Sequence, residues 1–137
     1  MMLRSRDLIR CARGATLVEF ALVAPIFMLL LFGIIEVGRL AWMRQSLEET
    51  AFATARCMSV SSNCASAASQ KSFAVQRAAA FRITITAAQV TPSAAVSCAG
   101  QANSNLVTIA APFVSGLSAL VPLPQTLQVT ACFPVLP

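Results

Sequence analysis

The chain has 137 residues and a mass of 14.4 kDa, room for one small domain and an anchor. Hydrophobic residues make up 57% and charged residues 11%, against roughly 25% charged in a typical soluble domain, and the mean hydropathy is +0.73. That excludes a disordered chain, whose signature is low hydrophobicity with high charge, and the complete absence of His and Tyr removes the commonest general base and metal ligand.

The net charge of +5 is unevenly placed. Residues 1–14 hold Arg4, Arg6, Arg10 and Arg13 against Asp7, which is +3 of the total, and residues 83–137 carry no charged side chain. A nucleic-acid-binding domain would show a basic face on its folded part. Here the basic stretch precedes an apolar run, so neither a nucleic-acid partner nor a small-molecule substrate is expected.

The apolar run is ATLVEFALVAPIFMLLLFGIIEV, residues 15–37, with 16 uncharged residues from Phe20 to Ile35 between Glu19 and Glu36. Together with its flanks it reaches the roughly 20 residues that a helix needs to cross a bilayer. The positive-inside rule places the arginine-rich start in the cytoplasm and the rest outside it. The expected organisation is a basic cytoplasmic leader over 1–14, a transmembrane helix over 15–38 and an extracytoplasmic domain over 39–137. A cleaved secretory signal would end in a small-x-small site. Instead the run passes into an amphipathic stripe of Leu40, Met43, Leu47, Ala51, Thr54 and Met58, spaced by three or four residues. One long helix from about Ala15 to Cys57 is predicted, with Arg44 and Glu48 one turn apart and able to pair.

Two residues of the anchor stand out. Pro25 removes a backbone donor, a break that membrane helices tolerate. Glu19 is either solvated at headgroup level or held inside the span by a partner, because a carboxylate in hydrocarbon costs at least a few kcal/mol. Glu36 has a local explanation in an i,i+3 pair with Arg39.

Glu19 and Phe20 close the string R-G-A-T-L-V-E-F, residues 13–20, directly before the apolar helix. This resembles the processing site of type IV prepilins and pseudopilins, in which a prepilin peptidase cuts after the Gly and the Glu at position five of the mature chain is kept. Cleavage between Gly14 and Ala15 would expose an α-amino cation on Ala15. The Glu19 carboxylate of a neighbouring subunit could meet that cation in low dielectric and set register between helices. Arg13-Gly14, Glu19-Phe20, Pro25, the block Leu31–Glu36 with Gly38-Arg39, and the Ala/Thr-rich continuation to Arg56 together resemble the TadE-like family of the tight-adherence (Flp) pilus system. The resemblance covers about residues 13–58. It implies a single-pass protein of the bacterial inner membrane that acts as a minor pilin or assembly factor. The implied partners are the prepilin peptidase, other pilin-like subunits and the pilus assembly platform.

Beyond the helix, residues 59–71 read as a Ser/Ala-rich loop and Ser72–Ile83 as a short helix with Ser69 a possible N-cap. Strands are predicted at 94–99, 106–113 and 126–133, bounded by Pro92, Gly100, Pro112, Pro122 and Pro124. In the last, Leu127, Val129, Ala131 and Phe133 share one face. The middle run alternates less well, as suits a strand covered on both faces. The predicted fold class is α+β, pilin-like: a long N-terminal helix, a small helix and a short antiparallel sheet laid against helix residues 40–58. The charge-free sheet face is expected to be covered by another subunit.

Cys11 belongs to the leader, whereas Cys57, Cys64, Cys98 and Cys132 fall on the outer side, an even number in an oxidising compartment. Of the three possible pairings, Cys57–Cys64 is favoured by the short Ser/Asn loop between them. Cys98–Cys132 would then join two strands. A zinc site lacks His, and its cysteine spacing is too wide. No cofactor and no metal is expected. The outer part also offers no base beside its serines, which argues against an enzyme. The alternative to the pilin-like reading is an uncleaved single-pass anchor carrying a small binding module of another envelope complex.

Overall fold

The computed structural model describes residues 12–118 and 122–135. Most of the leader, Cys11 included, lies outside the described residues. In chain order the elements are α1 (Ala12–Val60), a 3-10 turn at Ser62–Cys64, α2 (Ala67–Ala80), a 3-10 turn at Ala87–Gln89, β1 (Val90–Cys98), β2 (Gln101–Pro112) and β3 (Thr126–Pro134). The predicted α+β class and its order of elements are what the chain adopts. It divides into two compact units, Met1–Val37 and Gly38–Pro137.

The described part of the first unit is helix. It begins at Ala12, three residues before the predicted start, and continues unbroken through Pro25. From Thr16 to Ile35 every side chain is exposed except Ala24 and Gly33, which are half-buried. A helix that is apolar all round and uncovered belongs in lipid or among other helices.

The second unit packs α1 from Gly38 onward, with α2, on one face of the sheet. Leu47, Ala51 and Ala55 of α1 form one buried cluster with Ala74 and Ala78 of α2, Val107, Ile109 and Ala111 of β2, and Leu127 and Val129 of β3. Leu40, Met43 and Met58 pack at its margin, so the predicted stripe is the core-facing one. Alanine on both helices lets their backbones approach closely. Thr50 and Thr54 are also fully buried, which a small core tolerates because each hydroxyl donates to the carbonyl one turn back, at 2.8 and 2.7 Å.

The region expected as a loop is largely helical. α2 starts at Ala67 rather than Ser72, because Ser66 is the N-cap: its Oγ accepts the Ser69 N–H while Ser69 Oγ accepts the Ser66 N–H, both at 3.2 Å. Ser69 is therefore the third helical residue and not the cap. The alanines that follow are strong helix formers, which outweighs the turn preference of the serines. α2 also ends before Ile83. The Arg82 N–H donates to Ala79 C=O and the Ile83 N–H to Ala78 C=O, closing a Schellman motif with Arg82 at φ 60.

The sheet is an antiparallel meander in the order β1-β2-β3. β1 and β2 are longer than predicted. Pro92 lies inside β1 opposite Val107, permissible because β1 is an edge strand with one side free of ladder bonds. In β2 the odd positions from Asn105 to Ala111 are buried and the even ones from Leu106 to Ala110 are half-buried. The strand is thus covered on one face only, contrary to the expectation. Its outer face and that of β3 present Leu106, Ala110 and Pro112 beside Thr108, Thr126, Gln128 and Thr130, an uncharged surface of mixed polarity.

The β1–β2 hairpin turns through Ala99 and Gly100, at φ 51 and 82, the two positive values of a type I′ turn. Two bulges precede it. Between Ser93 and Val96 β1 carries an extra residue, with Ala95 at φ 54; between Ser104 and Gln101 β2 carries one, with Asn103 at φ 57. Strands two places apart in a flat sheet are roughly 9–10 Å apart, too far for a disulfide. Here Cys98 of β1 and Cys132 of β3 are bonded with Cα atoms 6.3 Å apart, so the bulged hairpin end bends across β2. Cys57 and Cys64 are bonded at the end of α1, with Cα atoms 5.7 Å apart.

Candidate functional site

The Gly14–Ala15 peptide falls in the first turn of α1. Residue 15 and Glu19 are one turn apart and share a helix face. Glu19 is exposed, and no ion pair joins it to another described residue. Phe20 beside it is 71% exposed. Glu36, at the far end of the same stretch, is buried. Glu19 is therefore presented on an uncovered apolar helix. Leaving a Leu or Phe side chain in water rather than buried costs about 1.5–3 kcal/mol. A surface this continuous requires lipid or protein around it. At Gly33 an added Cβ would meet nothing within 4 Å, leaving room for a neighbouring helix.

On the second unit every charged side chain lies between Arg39 and Arg82. Arg44 pairs with Glu48 at 2.9 Å, as the spacing predicts. Arg77 bridges from α2 to Glu49 of α1 at 3.2 Å and lies over the Phe81 ring at 5.6 Å. Arg77 is exposed, since Ala74 and Ala78 are the α2 residues that face the core.

Two shallow grooves flank the helices. One, of 420 Å³, runs between α1 and α2 past Phe52, Arg56 and Phe73, with the Phe52 ring edge-on to Phe133 of β3 at 5.7 Å. The other, of 730 Å³, is lined by Arg39, Trp42, Arg82 and Phe113. Neither was legible in the sequence, since each joins segments distant in the chain. Cys57, Cys64, Cys98 and Cys132 are all joined in disulfides. Among the described residues no three His, Cys, Asp or Glu side chains gather to hold a metal ion.

Residues 14–56 match the model of a protein family described as TadE-like protein. This is the family that the sequence resembles, and the matched segment holds the apolar helix and much of its amphipathic continuation. No curated protein and no solved structure matches the chain.

Proposed function

We propose that this protein is a non-enzymatic, pilin-like membrane subunit, a minor pilin or pseudopilin, that takes part in assembly of a tight-adherence pilus. The observation that carries the reading is the match of residues 14–56 to the TadE-like model, with R-G-A-T-L-V-E-F opening a bare apolar helix. Residues 15–38 anchor the chain in the inner membrane, with the arginine-rich leader in the cytoplasm and residues 39–137 outside. A prepilin peptidase removes residues 1–14 and leaves Ala15 as the new amino terminus.

The helix then carries a cation at its end and an acid one turn further on. Between neighbouring subunits, the Ala15 amino group of one and Glu19 of another neutralise each other in a medium where an isolated carboxylate is costly. Pairing fixes the axial offset of adjacent helices, because any other offset strands both charges. Pro25 frees the carbonyl of Ala21, a second polar group available to a neighbouring helix.

Glu19→Gln tests the register role. The variant keeps the size and loses the charge. It is expected to insert and to be cleaved normally, while recovery in a complex with other pilin-like subunits falls at least tenfold. Complex recovery equal to the native chain would contradict the role given to Glu19.

A further inference from the structure

The groove at the start of the second unit combines chemistry that the assembly reading does not use. Arg39 and Trp42 of α1 line it from one side, Arg82 from the end of α2, and Phe113 and Val114 from the segment after β2. Trp42 is 62% exposed and Val114 79%, a large apolar surface for two residues of a folded head. Both arginines are exposed, and the Arg39 guanidinium lies 6.0 Å from the centre of the Phe113 ring. Arg82 also occupies a left-handed position at φ 60, one that favours glycine, so its side chain is present there against the local backbone preference.

We propose that this groove seats the folded head on the bilayer by taking the phosphate of an anionic phospholipid headgroup at Arg82 and Arg39. Trp42 and Val114 enter the acyl boundary beside it. The occupant follows from charge and from chain position. Arg39 and Trp42 come two and five residues after Val37, the last residue of the apolar unit. When residues 15–38 span the membrane, as the assembly reading holds, these two stand at the interface, where tryptophan and arginine concentrate. Guanidinium groups match phosphate with paired N–H donors.

Trp42 is the sole tryptophan and the chain has no tyrosine, so its emission reports this groove alone. The full chain is reconstituted in nanodiscs of mixed zwitterionic and anionic phospholipid, with bromine on either the anionic or the zwitterionic component at equal mole fraction. The brominated anionic lipid is expected to quench Trp42 more strongly. From the surface electrostatics of one arginine, its local excess should fall about fivefold in Arg82→Gly. That variant relieves the left-handed strain, so it should melt at the same or a higher temperature. Arg56→Gln, which removes an equal charge outside the groove, should keep the preference. Equal quenching by the two lipids in the native chain overturns the proposal, as does a preference undiminished in Arg82→Gly. Blue-shifted Trp42 emission that neither lipid quenches means that protein covers the groove, and overturns it too. Alkaline carbonate extraction separates the premises: release of the chain refutes the anchor, whereas retention with equal quenching refutes only the lipid site.

Discussion

Ser59 joins the end of α1 to the sheet. Its Oγ accepts from Asn105 Nδ2 at 2.9 Å and donates to the Pro134 carbonyl at 3.0 Å, so one hydroxyl links α1 to β2 and β3. Asn105 is buried, and without Ser59 its amide would lose this partner away from water. Ser59→Ala is therefore expected to lower unfolding free energy by about 1–3 kcal/mol. Denaturant unfolding of the detergent-solubilised chain measures it, and an unchanged midpoint would contradict the assignment. Breaking the Arg44–Glu48 pair should matter less. Both side chains are largely exposed, and such helix pairs contribute roughly 0.3–0.5 kcal/mol before salt screening. Geometry alone would rank the two contacts equally; desolvation separates them.

The sheet depends on a hairpin whose shape is set by residues outside ordinary strand conformation. Ala95, Ala99 and Asn103 all have positive φ, and together they turn the end of β1 toward β3. The Cys98–Cys132 bond holds that bend across 34 residues of chain, whereas Cys57–Cys64 spans 7. On loop-closure entropy the longer loop contributes about 4 kcal/mol and the shorter about 2.5 kcal/mol. Replacing Cys98 and Cys132 with Ala should therefore lower the melting temperature more than replacing Cys57 and Cys64. The reverse order would show that closure entropy does not govern this fold. These elements also mark where sequence reading succeeds. The α1 stripe from Leu40 to Met58 and the alternation from Leu127 to Phe133 repeat a period several times over, so they stand out from the residues themselves. The start of α2 is hidden because Ser66 and Ser69 look alike until a capping box assigns their roles. The start of β1 is hidden because Pro92 reads as a boundary unless the strand is known to be an edge. The bulge at Ala95 carries no signal, since alanine is disfavoured at positive φ, whereas Asn103 is of a type that tolerates it. The candidate site divides the same way. The run from Gly14 to Phe20 is linear spacing and can be read directly, whereas the Arg39–Arg82 groove is assembled only by folding.

At the scale of the whole molecule, the two units face different demands. The described part of the first exposes apolar side chains on all sides, and Glu19 is the only acid between Gly14 and Glu36. The second is a small head with a core rich in alanine, two disulfides and an uncharged outer sheet face. The proposed function unites them: the rod packs among other rods in the membrane while the head stays outside. For the rod, Gly33→Leu should leave folding of the isolated chain unchanged, because nothing lies within 4 Å of the new Cβ, yet reduce recovery with other pilin-like subunits. Full recovery with a bulky side chain there would place the helix contact elsewhere.

On the proposed function, Glu19 is kept in the apolar stretch for an amino group that cleavage creates. Intact-mass analysis of the chain, produced with and without its prepilin peptidase, tests this most directly. A mature chain beginning at Ala15 is expected when the peptidase is present, and an uncut leader when it is not. A leader still attached under both conditions would contradict it.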